Sequence, residues 1–326
     1  MKMKNREKYI TADPSTERWF GMEVLVTGGT GMVGRNLIKT LEDRGATVIS
    51  PAQKELDLTN KEEVDAFFKD KEVHTVVHCA GLVGGIHSNI ARPFDFALQN
   101  IMMGSNVVSA CIENGVEKFL NLGSSCMYPR EGKNPLKEED ILSGPLEPTN
   151  EGYAIAKIAI SRLCNYSNRQ FGTNFKTLIP CNLYGHYDNF DLSKAHLIPG
   201  VIHRMHLKHQ SGEDEITIWG DGTARREFMY AADLADFVCF SLENYEKIPE
   251  EVNVGMGFDM EVKEYYEIIS SVIGFNGSFA YDLSKPTGMR KKLVDISRQE
   301  DLGWKPPTNT EDGVRKTYRW FTQEWL

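Results

Sequence analysis

A glycine-rich segment lies between a short apolar run and an amphipathic run near the start of this 326-residue chain. Residues 22–27 predict a strand, and Thr27-Gly28-Gly29-Thr30-Gly31-Met32-Val33-Gly34 follows it. Apolar residues then recur on one face of a predicted helix, namely Val33, Leu37, Ile38 and Leu41. Glycines let the backbone approach a pyrophosphate closely, and the helix N-terminus offers it unpaired N–H groups. The context predicts a dinucleotide-binding loop, and a tight turn without a ligand is the alternative.

Strands and helices alternate along the chain as far as about residue 182. Further strands are predicted at 47–49, 75–78, 118–122 and 176–179, and helices at 59–70, 95–114 and 153–171. This alternation predicts an α/β fold with a doubly wound parallel sheet of the Rossmann type, followed by a smaller α/β C-terminal substrate lobe. We expect a polar leader at 1–20 and a dinucleotide-binding domain at 21–182 that includes part of 227–256. The substrate lobe would consist of 183–226 and 257–326.

The composition argues against several classes of protein. Lys and Arg number 37 against 46 Asp and Glu, and the resulting net charge of −9 gives no support to nucleic-acid binding. No apolar stretch reaches the roughly 18 residues of a membrane span. The six cysteines lack zinc-site spacing, and a cytoplasmic protein with no membrane or nucleic-acid partner is expected. No metal site is predicted, because His203, His206 and His209 diverge around a predicted helix.

Tyr153 and Lys157 lie four residues apart in a predicted helix, so that the phenol and the ammonium share one face. A nearby cation favours the phenolate and predicts a tyrosine pKa drawn from about 10 towards neutrality. Such a group exchanges a proton with an alcohol or ketone oxygen. Ser124 follows the strand ending at Leu122, at the sheet edge where ligands of open α/β sheets bind. The three residues predict carbonyl reduction, and an exposed helix pair is the alternative.

The end of the second strand bears on which dinucleotide binds. NAD sites usually carry Asp or Glu about 20 residues beyond the glycine loop, to bind the ribose 2′-hydroxyl. The segment Ile49-Ser50-Pro51-Ala52 has no acid at its tip, which favours NADP(H). It has no arginine for a 2′-phosphate either, so NAD(H) is the alternative.

Together these segments resemble the extended short-chain dehydrogenase/reductase family that acts on nucleotide sugars. The resemblance covers nearly the whole chain after residue 20. Its most specific stretches are residues 122–129 (LGSSCMYP) and 146–159 (LEPTNEGYAIAKIA). Shorter stretches are 31–34 (GMVG), 83–86 (VGGI), 182–185 (NLYG), 188–190 (DNF), 196–199 (HLIP) and 226–228 (REF).

The resemblance is closest to members that convert GDP-4-keto-6-deoxy-mannose to GDP-L-fucose by 3,5-epimerisation and 4-keto reduction. It implies that Tyr153 donates a proton to the C4 oxygen, that Lys157 lowers the tyrosine pKa and that Ser124 binds the oxygen. Inversion at C3 and C5 needs a further base and acid, and the matching positions are Cys126 and His196. Thiol and imidazole, with ordinary pKa values of about 8.5 and 6.5, suit proton transfer near neutral pH.

The resemblance also implies ligand-binding residues, a GDP-linked 4-keto-6-deoxy sugar as substrate and a homodimer. The cofactor-binding positions are Gly28, Thr30, Gly31, Met32, Val33, Asp57, Leu58, Ala80, Lys157, Pro180, Asn182, Leu183 and His196. The substrate-binding positions are Asn182, Arg204, Trp219, Arg226 and Lys285. Arginine suits a diphosphate because its planar donor fork pairs two oxygens at once.

The chain departs from the family pattern at some of these sites. Thr30 and Pro51 stand where the family has arginines near the 2′-phosphate, and Thr287 and Met289 stand where it has Asp and Thr. One alternative is therefore a C4 reductase, with or without epimerisation, of a related GDP-4-keto-6-deoxy sugar such as a heptose or a dideoxy sugar. A dinucleotide-sensing module without catalysis is the alternative from another class.

Overall fold

A six-stranded parallel sheet forms the centre of the computed structural model, which describes residues 19–284 and 289–326. The strands of these residues are β1 Glu23–Thr27, β2 Thr47–Ile49, β3 Thr75–His78, β4 Lys118–Leu122, β5 Lys176–Pro180, β6 Asn182–Tyr184, β7 Glu215–Trp219, β8 Arg225–Arg226, β9 Phe228–Tyr230, β10 Glu251–Val254, β11 Met260–Glu261, β12 Ser278–Asp282 and β13 Lys291–Lys292. The helices are α1 Met32–Asp43, α2 Lys61–Asp70, α3 Ile86–Ala91, α4 Pro93–Glu113, α5 Glu151–Phe171, α6 Leu197–Ser211, α7 Ala231–Glu243, α8 Val262–Ile273, α9 Ser297–Asp301 and α10 Thr310–Trp320.

The strand order β10-β5-β4-β3-β1-β2 confirms the predicted doubly wound sheet. β1 pairs in parallel with β2 on one side and with β3 on the other. The connections that leave β1 and β3 therefore run in opposite directions, and a crevice opens at the carboxyl ends of these two strands. The glycine-rich segment follows β1 directly, so the predicted loop lies at this crevice.

The strands are apolar because both faces of the sheet are buried. Side chains of β1 alternate between the two faces: Val24 and Val26 pack in one core cluster with Leu37 of α1, whereas Leu25 packs in another with Val64 of α2. The second cluster also takes in residues of α4 and α5. These two layers of helices hold the carboxyl edge of the sheet in place.

The smaller lobe has a separate core, in which α6, α8 and α10 pack with β7. β12 pairs with β7, β8 lies between β11 and β13, and β6 pairs with β9. β10 returns to the central sheet beside β5, and α7 packs against α1. The chain therefore passes between the two lobes more than once.

The structure differs from the sequence predictions mainly where helices begin. The helix predicted from Asp95 begins at Pro93, where the fixed φ of proline suits the first helical turn, and the short helix α3 precedes it. Of the predicted leader, residues 1–18 lie outside the described residues, and Trp19 is buried and donates to Glu243 Oε1 at 2.7 Å. Within the described ranges, every helix is too short or too polar to cross a membrane.

Candidate active site

The glycine loop fits tightly against the end of β3. Gly28 has φ +73°, and a Cβ added there would lie 2.6 Å from the backbone of Ala80. A Cβ on Gly34 would lie 2.3 Å from the carbonyl oxygen of Gly28. Both positions therefore require glycine for the fold itself.

Gly31 is different, because neither its backbone conformation nor any neighbour among the described residues requires glycine there. Its φ is −81°, and an added Cβ would lie 3.5 Å from its nearest neighbour, the carbonyl oxygen of Gly28. Gly31 is exposed and stands directly before α1, whose first turn has no acidic residue. Its missing side chain leaves room where a pyrophosphate would approach the free N–H groups of the helix. Thr30, Met32 and Val33 flank this cradle, and the loop fits a dinucleotide.

A buried hydrogen bond fixes the two strand ends beneath this loop. Thr27 Oγ1 and His78 Nδ1 are 2.8 Å apart, and Thr27 Oγ1 also accepts from the Ala80 N–H at 3.4 Å. Burial lowers the pKa of His78 to about 3, so its ring is neutral. The predicted residues Gly28 and Ala80 are thus brought into contact.

Tyr153 and Lys157 lie on the face of α5 that meets the end of β4. Lys157 Nζ is 5.7 Å from the centre of the Tyr153 ring and donates to the Leu122 carbonyl oxygen at 2.9 Å. The side chain of Ser124 lies within hydrogen-bonding reach of the phenol. Its Oγ also accepts from the Cys126 N–H at 3.2 Å, which orients the hydroxyl. The three residues predicted to reduce a carbonyl are therefore brought together.

Burial governs the protonation of this group. It lowers the pKa of Lys157 to about 8 and raises the pKa of Tyr153, although the hydrogen bond with Ser124 acts in the opposite direction. The prediction of a tyrosine pKa near neutrality is wrong for this structure, because the desolvation of the phenolate dominates. The phenol is consequently protonated at neutral pH, and this is the form that donates a proton to a carbonyl oxygen.

Cys126 lies beside the same group. Asn150 Nδ2 donates to its sulfur at 3.1 Å, and Lys292 Nζ lies 3.6 Å from the sulfur. Electrostatic interactions connect Cys126 with both Tyr153 and Lys157. Cys126, the residue predicted to take part in epimerisation, therefore lies close to Tyr153 and Lys157, which are predicted to take part in reduction.

His196 stands at the residue before α6, on a different element from Cys126. The ring is accessible to solvent, yet the protein around it lowers its pKa through desolvation. The imidazole is therefore accessible for proton exchange.

The candidate substrate residues lie mostly in the smaller lobe. Arg204 donates to the Tyr266 hydroxyl at 2.6 Å and to the Thr217 carbonyl oxygen at 3.1 Å. Its guanidinium lies 6.0 Å from the centre of the Trp219 ring, and Trp219 is half-exposed. Arg226 lies on β8, where burial lowers its pKa and the nearby Glu147 carboxylate opposes that shift. Arg204 and Trp219 thus form one group. Lys285 lies outside the described residues.

The remaining cofactor candidates follow other strand ends. Pro180 closes β5, and Asn182 and Leu183 belong to β6, where Asn182 Nδ2 donates to the Glu227 carbonyl oxygen at 2.8 Å. Asp57 and Leu58 follow β2. The Asp57 carboxylate accepts from the N–H of Thr59 at 2.9 Å and from its hydroxyl at 2.7 Å.

Three site residues were not among the sequence candidates: Lys292, Asn150 and Asn100. Asn100 Oδ1 accepts from the Leu82 N–H at 2.8 Å and so fixes the segment after β3 close to Lys157. Asn150 could have been found, since it lies three residues before Tyr153 in the most specific stretch. Lys292 is 166 residues from Cys126, and nothing in the sequence connects the two.

Of His203, His206 and His209 on α6, the first two have separate hydrogen-bond partners. His203 Nδ1 lies 2.8 Å from the Phe190 carbonyl oxygen, and His206 Nδ1 lies 2.9 Å from the Tyr318 hydroxyl. Across residues 19–284 and 289–326, no group of three or more His, Cys, Asp or Glu side chains could hold a metal ion.

A dinucleotide cradle beside a Ser-Tyr-Lys group at the carboxyl edge of a parallel sheet defines an NAD(P)-dependent oxidoreductase or epimerase. The chain belongs to the NAD dependent epimerase/dehydratase family, whose model matches residues 24–255.

Two curated relatives and one solved structure show what the chain is similar to. It is 48% identical to the GDP-L-fucose synthase of Azorhizobium caulinodans, over 92% of this chain and 96% of the relative. It is 46% identical to the GDP-L-colitose synthase of Yersinia pseudotuberculosis, over 93% and 99%. The structure of a GDP-mannoheptose C4 reductase from Campylobacter jejuni with NADP bound is 31% identical, with a TM-score of 0.84 over 93% of this chain and 98% of that one.

Proposed function

We propose that this chain converts GDP-4-keto-6-deoxy-mannose to GDP-L-fucose as an NADP(H)-dependent 3,5-epimerase and 4-reductase. The observation that carries the proposal is the position of Cys126, which adjoins the Ser124, Tyr153 and Lys157 group and has two nitrogen donors at its sulfur. Reduction alone needs only Ser124, Tyr153 and Lys157. A thiol in contact with them supplies the separate proton-transfer function that epimerisation demands.

The reduction step uses the groups at the end of β4. A dinucleotide held by the glycine loop would supply the hydride for C4 of the sugar. Tyr153 donates its phenolic proton to the carbonyl oxygen, and Ser124 donates a hydrogen bond to the same oxygen. Lys157, which is mostly charged at neutral pH, stabilises the phenolate that remains. The glycine loop holds the pyrophosphate through the start of α1.

Epimerisation precedes reduction, because the C4 ketone acidifies the protons at C3 and C5. Inversion requires a base on one face of the sugar ring and an acid on the other. We assign these roles to Cys126 and His196, which stand on different elements of the fold. Arg204, Trp219, Arg226 and Asn182 would hold the GDP part of the substrate, together with Lys285.

The residues that follow β2 bear on the choice between NADP(H) and NAD(H). Ser50 donates to the Val26 carbonyl oxygen at 2.9 Å and places no carboxylate there, while Gln53 and Lys54 are exposed nearby. This favours NADP(H), as does the NADP in the related reductase, with NAD(H) as the alternative. Steady-state rates with NADPH and NADH at equal concentration test the preference, and a higher kcat/KM for NADH would reverse it.

The decisive experiment combines the purified chain, GDP-4-keto-6-deoxy-mannose and NADPH in heavy water, with NMR of the product. GDP-L-fucose carrying deuterium at C3 and C5 is the expected result. A reduced sugar without deuterium at C3 and C5 would show a C4 reductase that does not epimerise. Consumption of NADPH only with a GDP-4-keto heptose or dideoxy sugar would favour the second candidate, which the names of two relatives support. No consumption with any of these substrates, despite dinucleotide binding, would indicate a sensing module.

A homodimer formed by α4 and α5 is part of the proposal, as is a cytoplasmic location. These helices pack side by side and expose an apolar stripe: Phe94 is 72% exposed, Leu98 41%, Ile155 46%, Leu163 37% and Tyr166 53%. Apolar patches of this kind mark protein interfaces. Light scattering should give twice the 36.9 kDa chain mass, and Leu163→Glu should give a monomer. A monomeric wild-type chain would contradict this assignment.

A further inference from the structure

The sulfur of Cys126 has two nitrogen donors from separate parts of the chain. Asn150 Nδ2, just before α5, donates to it at 3.1 Å, and Lys292 Nζ, from β13 of the smaller lobe, lies at 3.6 Å. Hydrogen bonds of this kind are strongest when one partner is charged. An amide N–H and an ammonium are both donors, and a thiolate is the form of sulfur that can accept from both and act as a base.

The strand that carries Lys292 is firmly anchored. β13 pairs with β8, and this register places Lys292 beside Arg226. Immediately after β13, Asn134 Oδ1 accepts from the Leu293 N–H at 2.7 Å and Glu227 Oε2 accepts from the Val294 N–H at 3.1 Å. The backbone that carries the Lys292 side chain is thus held in place.

The adjacent residue, Lys291, has a different partner from Lys292. Lys291 Nζ forms an ion pair with Asp259 Oδ2 at 3.2 Å, because successive side chains of a strand point to opposite faces. Two lysines of equal length on one short strand therefore have different partners. Of these two lysines, Lys292 is the one whose ammonium lies close to the Cys126 sulfur.

We propose that Lys292 is a positioning residue for epimerisation, which holds the Cys126 sulfur as a thiolate facing the sugar; this rests on the proposed function. In the step it supports, the C–H bond at C3 or C5 breaks, the proton forms an S–H bond with Cys126, and the electron pair stays in the enolate of the C4 ketone. His196, whose pKa is lowered, takes up a proton from solvent and then delivers it to form the new C–H bond on the opposite face. Lys292 keeps its own proton throughout.

The first test measures the thiol without any substrate. Iodoacetamide alkylation of Cys126, located by peptide mass spectrometry, is followed from pH 6 to 10 in the wild type, Lys292→Met, Lys292→Arg and the matched control Lys291→Met. Loss of the ammonium should slow alkylation at pH 7 by about tenfold and move the profile to higher pH. Lys292→Arg should restore most of the rate, and Lys291→Met should match the wild type. Superimposable profiles for Lys292→Met and the wild type would overturn the proposal.

The second test separates the two chemical steps. Deuterium wash-in at C3 and C5 should fall by about tenfold in Lys292→Met, whereas reduction of a pre-epimerised ketone by NADPH should change much less. An equal rise in KM for both steps, with kcat retained, would show that Lys292 only binds the diphosphate and would refute the inference. If the wild type takes up no deuterium, the proposed function fails, and the alkylation profiles still decide whether Lys292 acts on Cys126.

Discussion

Because of Lys157, we expect the free energy of unfolding to increase as the pH rises above 8. The Lys157 ammonium is buried, and desolvation lowers its pKa to about 8, whereas an unfolded lysine has a pKa of about 10.4. Between these values the folded chain has released a proton that the unfolded chain still holds, so the free energy of unfolding increases with pH. For a single such group the increase between pH 7.5 and 9.5 is about 2 kcal/mol. Below pH 7.5 both states hold the proton, and the contribution is nearly constant.

The assay is urea unfolding of the wild type and Lys157→Met at pH 7.5, 8.5 and 9.5. The other titratable groups are the same in both chains, so most of their contributions cancel in the difference. The wild type should gain about 2 kcal/mol over the variant across this range. Lys69→Met, which removes an exposed lysine of α2, should follow the wild type. A difference between the wild type and Lys157→Met that does not change with pH would refute the assignment of a desolvated ammonium.

Tyr153→Phe should lower the rate of NADPH oxidation by about 10²–10⁴-fold, as expected for the loss of a general acid, while deuterium exchange at C3 and C5 continues; equal loss of exchange would contradict separate roles. Cys126→Ser should abolish that exchange and spare the reduction of a pre-epimerised ketone, which NADPH absorbance measures directly. Gly31→Ala should weaken dinucleotide binding in calorimetry with little change in thermal midpoint, whereas Gly34→Ala should lower the midpoint itself. Normal binding by Gly31→Ala would argue against the cradle.

The parts of the fold that depend on local patterns could be predicted from the sequence. β1 and its glycine loop are contiguous, and burial on both faces makes each central strand an apolar run that is readily recognised. Tyr153 and Lys157 share a helix face, so their proximity follows from spacing alone. Ser124 could be placed because parallel strands end at one edge of the sheet.

The parts that depend on tertiary contact could not be predicted. The tyrosine pKa depends on how much protein surrounds the phenol, and spacing along α5 carries no information on that. Likewise, Lys292 reaches Cys126 only because β13 pairs with β8 of the smaller lobe. The sequence of this segment shows two adjacent lysines and gives no reason to prefer either one.

The two chemistries proposed for this site have different structural foundations. Tyr153 and Lys157 come from one helix, and Lys157 contacts the end of β4, so the groups proposed for proton transfer in reduction are held by the nucleotide-binding sheet. Cys126 belongs to that sheet as well, but one of its two donors comes from the lobe that carries Arg204 and Arg226. A change in how that lobe sits on the sheet would therefore alter epimerisation before it altered hydride transfer. Substitutions in β8 or β13 that leave the sheet intact should accordingly separate the two activities, with deuterium exchange the more sensitive of the two.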